Sequence, residues 1–96
     1  MQASYHPRVD GEVTEIAAQY DSERMGLGDE FLAELDEAAA TMLRLGARTQ
    51  PVYKDVRAVL LERFPYGIYY RVIEETARVL VVKHVYRDLH YGLNRK

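Results

Sequence analysis

The run Val79-Leu80-Val81-Val82 limits the possible folds of this chain more than any other feature. These four residues are apolar on both faces of an extended segment, which is typical of a strand in the middle of a sheet. We therefore predict a strand over residues 78–86. Two more segments rich in branched and aromatic residues, 58–64 and 67–73, precede it, and Glu74-Glu75-Thr76 is short enough for a hairpin. The C-terminal half thus predicts an antiparallel three-stranded meander.

The N-terminal half predicts two amphipathic helices. Apolar residues recur at spacings of three and four in both segments. In the first they are Val9, Val13, Ile16, Ala17 and Tyr20, and in the second Leu27, Phe31, Leu35, Ala38, Met42 and Leu45. His6-Pro7 predicts the start of the first helix, because proline is tolerated at the first helical position. Residues 47–56 are predicted to be a polar loop.

These elements predict an α+β fold in one domain spanning residues 1–96. A short N-terminal strand, at residues 1–5, and a two-helix hairpin precede a small antiparallel sheet of three to four strands. The hairpin must cover one face of that sheet, since its apolar stripes have nothing else to bury against. Phe31, Met42 and Tyr20 are interpreted as core residues.

Composition excludes several classes of function. The chain has no cysteine, so disulfides and thiolate metal sites are absent, which agrees with a reducing cytoplasm. His6, His84 and His90 lack metal-ligand spacing, and no glycine-rich phosphate loop follows a strand. We therefore expect no metal and no cofactor. No apolar run reaches the roughly 18 residues of a membrane span, and nothing resembles a secretion signal.

The net charge of −2 is unevenly distributed. Residues 1–47 carry 3 Lys or Arg against 10 Asp or Glu, whereas residues 48–96 carry 10 against 5. An acidic helical half and a basic sheet half predict a surface that attracts an acidic protein or a phosphate backbone. Scattered solvated charge is the alternative.

Four stretches, in this order along the chain, resemble the ParE/RelE toxin superfamily, and within it the ParE-like plasmid stabilisation branch. They are Tyr5-His6-Pro7 with the helix closing on Tyr20, the segment 26–35, the segment 56–66 with Ile68-Tyr69-Tyr70-Arg71-Val72, and His84-Val85-Tyr86-Arg87-Asp88 with Tyr91. The resemblance implies the toxin of a type II toxin–antitoxin pair, which inhibits growth until a small antitoxin neutralises it.

The resemblance leaves two mechanisms open. ParE-like members inhibit DNA gyrase by binding, whereas RelE-like members cut mRNA in the ribosome. RNA cleavage without a metal needs a base, a cation for the phosphorane and an acid, and His84, Arg87 and Tyr91 are the candidates here. Alternation along the last strand would place His84 and Tyr86 on one face with Leu80 and Val82, and Lys83 on the other. His84, Arg87 and Asp88 could equally form a structural corner.

Two departures favour the gyrase-type binder over the ribonuclease. The ribonuclease branch, like many relatives, carries an arginine just after the Pro-Tyr pair of the middle strand. This chain has Gly67 there, so a phosphate-binding cation is missing unless Arg63 or Arg71 replaces it. A net charge of −2 also suits ribosomal RNA poorly, because affinity for RNA rests largely on neutralised phosphates. The protein is therefore expected not to be an enzyme. A third hypothesis is an inactive relic that acts only by binding its antitoxin.

The antitoxin is expected to bind the sheet edges and a basic face that includes Arg57, Arg63, Arg71, Tyr86 and Arg87. Antitoxins commonly contribute an amphipathic helix and a strand. The assembly would be a homodimer or a toxin–antitoxin heterotetramer in the cytoplasm, without a membrane partner.

Overall fold

The apolar run 79–82 lies in the longest strand of a five-stranded sheet. The computed structural model describes residues 1–96. Its elements are β1 (Gln2–Tyr5), α1 (Val9–Glu23), α2 (Leu27–Leu45), a short 3₁₀ helix (Gly46–Arg48), β2 (Pro51–Tyr53), β3 (Val56–Leu60), β4 (Tyr66–Ile73) and β5 (Thr76–His84). The strand order is β1-β5-β4-β3-β2. The predicted α+β class and the helical hairpin on one face are confirmed.

The sheet has more strands than the three to four that were predicted, and it is mixed. β1 runs parallel to β5, with Gln2 opposite Thr76 and Tyr5 opposite Val79, while the other pairs are antiparallel. The direction of a four-residue strand is set by its partner across the fold, so its own sequence could not reveal it. The segment predicted as a polar loop contains β2, whose first residue is Pro51; proline is tolerated there because β2 is an edge strand.

Several predicted boundaries were wrong. The last strand spans Thr76–His84 instead of residues 78–86, so Tyr86 lies in the turn after β5 and does not share a strand face with His84. Helix α1 begins at Val9, because His6, Pro7 and Arg8 form a turn in which the Arg8 N–H donates to His6 Nδ1 at 3.1 Å. Strand β3 ends at Leu60, since the Leu61 N–H already closes the hairpin on the Tyr66 carbonyl. Leu61 and Phe64 are buried although they belong to the turn. Their apolar character is the reason that the sequence predicted a strand as far as residue 64.

The helices bury their predicted stripes against β3 and β5. Phe31 and Met42 of α2 are fully buried, and Val9 and Ala17 of α1 are nearly so. The Tyr20 ring centroid lies 5.6 Å from that of Phe31, with the rings tilted, and 4.9 Å from that of Phe64, with the rings edge to face. Edge-to-face and offset arrangements at such distances are favourable for aromatic pairs. The interpretation of Tyr20, Phe31 and Met42 as core residues agrees with this burial.

A bulge in β5 divides its apolar run between the two faces of the sheet. Tyr69 pairs with Val81 and Tyr70 with Val79, so Leu80 is the extra residue of the bulge. As a result, Val79 and Val82 pack under the helices, while Leu80 and Val81 pack together on the opposite face. The expectation that Leu80 shares a face with Val82 and His84 was therefore wrong, because strict alternation fails at a bulge.

The C-terminal segment after β5 covers part of this second face. Leu93 is buried in the cluster of Leu80 and Val81, and Gly92 adopts a φ of +76° directly over the Val81 side chain. Arg71 on β4 donates to the Arg95 carbonyl at 2.9 Å, which holds the end of the chain against the sheet.

Candidate functional site

A cleft of about 280 Å³ lies where β5 ends, between α1 and the C-terminal segment. The structure brings together there the three residues predicted as catalytic. The side chains that define it are His84 from the end of β5, Arg87 from the following turn, Tyr91 from the tail, Tyr66 from β4, and Glu12, Glu15 and Gln19 from α1. The cleft forms because β5 is longer than its neighbour β1, so that α1 and the tail approach each other across its last residues.

His84 is fixed by two contacts. Its ring packs edge-on against Tyr66, with 5.3 Å between centroids, and its Nδ1 accepts the Tyr86 backbone N–H at 3.1 Å. Because Nδ1 is the acceptor, Nε2 carries the proton of the neutral ring and is the nitrogen left for a ligand. This geometry suits a structural histidine as well as a proton donor.

Tyr91 is bound to a carboxylate that sequence reasoning missed. Its hydroxyl donates to Glu12 Oε2 at 2.6 Å, and Arg95 donates to both oxygens of Glu12 at 2.8 and 2.9 Å. These hydrogen bonds, above all the one from Arg95, hold the pKa of Glu12 below its usual range, and Glu12 in turn raises the pKa of Arg95. The Tyr91 proton is therefore already engaged by an anion.

Arg87 and Tyr86 are both exposed. The Arg87 guanidinium stacks on the Tyr91 ring at 3.6 Å from the centroid, and no carboxylate lies within 4.0 Å of it. Tyr86 is 88% exposed. An exposed tyrosine beside an arginine without an ionic partner provides the two residue types that most often dominate the energy of protein interfaces.

No protein-family model matches the sequence, and neither does any curated protein. Among solved structures, a chain of the chromosomal ParDE TA (toxin–antitoxin) system from P. aeruginosa matches with a TM-score of 0.74 and 17% sequence identity. The match covers 88% of this chain and 95% of that chain. This chain shares the fold of that ParDE chain. At this identity the likeness extends to the fold alone.

The ParE-like fold does not bring the other predicted arginines together. Arg63, in the β3–β4 turn, bonds Glu34 of α2 at 3.0 Å and lies 3.4 Å from Glu30. Arg57, on β3, donates to the Thr49 carbonyl on the helix side of the sheet. Arg71 lies on the opposite face, where it binds Asp55 at 3.0 Å. These three guanidinium groups therefore hold parts of the ParE-like fold together, and only Arg87 faces the cleft.

The chemistry available in the cleft is limited by its acidic wall. Glu12 and Glu15 line the side formed by α1. Glu12 is paired with Arg95, whereas Glu15 has no ionic partner, so its carboxylate repels a phosphate that approaches Arg87. No group of three or more His, Asp or Glu side chains is placed to hold a metal ion. None of the helices is long and apolar enough to cross a membrane.

Proposed function

We propose that this protein is the toxin of a type II toxin–antitoxin pair, that it stops growth by binding a macromolecular target such as DNA gyrase, and that a cognate antitoxin neutralises it. The observation that carries the proposal is the fold shared over 88% of the chain with a ParDE toxin–antitoxin system. Both binding events would take place in the cytoplasm.

Inhibition by binding fits the contacts of the cleft better than catalysis does. A general acid must be free to give up its proton, whereas the Tyr91 hydroxyl is bonded to Glu12. Phosphate recognition needs convergent cations, and only Arg87 lacks an ionic or carbonyl partner among the four predicted arginines. Tyr86 and Arg87 are instead presented to solvent, as anchor residues of a binding surface are.

We assign the antitoxin or target contact first to Tyr86 and Arg87. Arg57, Arg63 and Arg71 would contribute through the basic potential of the C-terminal half, because their guanidinium groups already have partners. The outer edges of β1 and β2 are the sheet edges at which an antitoxin strand could add.

One observation favours the ribonuclease as the second candidate function. His84, Arg87 and Tyr91, which lie within eight residues of one another in the sequence, line the same cleft as Tyr66 of β4. If a bound RNA displaced Tyr91 from Glu12, His84 Nε2, Arg87 and Tyr91 would offer a proton carrier, a cation and an acid.

A single induction experiment separates the two candidates. The protein is induced in bacteria without its partner, and the same culture is assayed for the supercoiling of a reporter plasmid and for the 5′ ends of cellular mRNA. Relaxed plasmid with intact mRNA supports the gyrase-type binder. New mRNA ends with normal supercoiling would establish the ribonuclease. Growth without either change would leave antitoxin binding as the function.

Two variants locate the activity. Arg87→Ala is expected to reduce toxicity at least ten-fold, measured as the inducer concentration that halves the growth rate, whereas His84→Ala is expected to retain it. Arg24→Ala, which removes an exposed arginine that is paired with Glu30 and does not line the cleft, is the control. If His84→Ala abolishes toxicity and Arg87→Ala does not, the binding hypothesis is wrong.

A further inference from the structure

A second depression lies on the face of the sheet that the helices do not cover. This groove has a volume of about 320 Å³ and runs between β2, β3 and the C-terminal tail, with Tyr69 and Lys83 among its lining residues. Eight of its nine lining residues are apolar, and Lys83 is the single polar one. We call it the Lys83 groove. Lys83 is also among the lining residues of the cleft of His84 and Arg87, but the two depressions share no other lining residue.

Lys83 is buried without a counterion. It is 3% exposed, and no carboxylate lies within 4.0 Å of its ammonium group. Nζ donates to the carbonyls of Asp88 and Leu89 at 3.0 and 2.8 Å and lies 5.0 Å from the centroid of the Tyr69 ring. An ammonium group has three donors, so one remains unused. Burial lowers the pKa of Lys83, although the more distant Asp88 partly opposes this.

The walls of the groove expose apolar side chains to water, and this exposure does not stabilise the isolated protein. Val52 and Leu60 are each 57% exposed, and Leu89 is 74% exposed. Contiguous apolar surface of this kind marks interaction sites in soluble proteins. The Lys54 ammonium lies 5.3 Å from the ring centroid of Tyr53, which places a second cation beside a lining residue of the groove.

We propose that the Lys83 groove binds an apolar peptide segment of a partner protein through that segment's side chains, and that an Asp or Glu within the segment becomes the counterion of Lys83. An apolar side chain would fill the space between Val52, Leu60 and Leu89, and the carboxylate would take the unused donor. Nucleic acid fits this groove poorly, because a phosphate backbone gains nothing from apolar walls. Where the partner is the antitoxin, this inference rests on the function proposed above.

The groove is tested with a displayed library of random twelve-residue peptides, selected on the purified wild-type protein. Enriched peptides are expected to combine Leu, Ile or Val with an Asp or Glu. Their dissociation constants are then measured for Lys83→Met, which removes the charge and keeps the length, and for Lys96→Met as the matched control. Lys83→Met is expected to weaken binding at least ten-fold, and Lys96→Met less than two-fold.

Circular dichroism melting checks that Lys83→Met is folded; its Tm is expected to equal or exceed that of the wild type, because a buried unpaired charge has been replaced by an apolar group. If Lys83→Met is unfolded, the variants Leu60→Asp and Leu89→Asp test the groove in its place. Both side chains are more than half exposed, so these changes should leave the fold intact, and the new carboxylate would compete with that of the peptide for Lys83. Each should weaken peptide binding at least ten-fold.

Two outcomes would overturn the proposal: a selection that enriches no acidic-apolar peptide, or peptides that bind the groove variants within two-fold of the wild type. The product of the gene next to this protein's own is measured in parallel on the same variants. If that protein does not bind the wild type while the peptides do, the antitoxin hypothesis fails and the groove assignment stands. If it binds every variant equally, the antitoxin docks elsewhere and the groove is not its site.

Discussion

One face of the sheet is covered by two helices, and the other by a tail that follows β5. Under the helices lies a cluster of twelve buried residues with Phe31, Phe64 and Tyr70 among its largest members, whereas the tail face buries a cluster of five. The helical cover is held by broad apolar contact. The tail is held by a few directional contacts, chiefly Arg95 to Glu12 and Arg71 to the Arg95 carbonyl.

The two covers differ in how readily they can be loosened while the rest of the molecule stays folded. Apolar contact spread over many side chains has no charge to titrate or to screen, whereas a carboxylate–guanidinium contact depends on pH and on ionic strength. The face with the weaker cover is also the one that exposes Leu60 and Leu89. Mutations on the two faces should therefore differ in kind as well as in size.

Truncating the centre of the helix-covered face should have the largest effect. Phe31→Ala removes a fully buried ring and is expected to lower the free energy of unfolding by about 3–5 kcal/mol. The measurement is urea unfolding followed by circular dichroism. Leu32→Ala, which changes a 36% exposed neighbour on the same helix, is the control and should cost much less. Equal losses would mean that the ring is not central to the core.

Removing the charge that anchors the tail should come next. Glu12→Gln leaves Arg95 without its anionic partner and is expected to cost about 1.5–3 kcal/mol at pH 7. Because the pKa of Glu12 is lowered in the folded state, its contribution is complete above the ordinary carboxyl pKa and is lost as the pH falls from about 5 downwards.

The difference in unfolding free energy between wild type and Glu12→Gln should therefore shrink at acid pH. The control is Glu15→Gln, three residues further along the same helix. Glu15 makes no side-chain hydrogen bond or salt bridge, so the unfolding free energy of this variant should stay near that of the wild type at every pH. A gap that widens on acidification would contradict the assignment of the Glu12 pKa to its contact with Arg95.

A methyl group placed under the tail should have a smaller but specific effect. Gly92→Ala puts a Cβ within 2.7 Å of Val81 Cβ at a φ of +76°, and is expected to cost about 1–3 kcal/mol. Hydrogen exchange should show faster exchange at the tail amides than at those of α2. Gly11→Ala, whose added Cβ meets nothing within 4 Å in helix α1, should instead stabilise the protein by about 0.5–1 kcal/mol.

Breaking the exposed ion pairs of the helix-covered side should matter least. Arg63→Met removes contacts to Glu30 and Glu34 from a side chain that is 61% exposed, and is expected to cost about 0–1 kcal/mol. The small difference should vanish when the urea titration is repeated in about 1 M salt, where the screening length is about 3 Å. A loss above 2 kcal/mol that persists in salt would place Arg63 in the core.

The candidate site was predictable only in part. His84, Arg87 and Tyr91 could be chosen because they cluster in sequence after β5, and they do share a cleft. Glu12 gave no such signal, since it is a helix residue 83 positions from Arg95. The excess of arginines in the C-terminal half was a misleading signal for a binding face. A count of basic residues does not reveal that Arg63 and Arg71 already have carboxylate partners.

The two helices and the three strands of the meander could be predicted from the sequence, because the spacing of apolar residues reflects the local geometry of each element. The short N-terminal strand was predicted too, but its parallel pairing with β5, the bulge at Leu80 and the buried position of Lys83 became visible only in the folded chain. Each of these features depends on contacts between segments that are distant in the sequence. The free energy of such a contact depends on both segments, so the local sequence of one segment does not predict it.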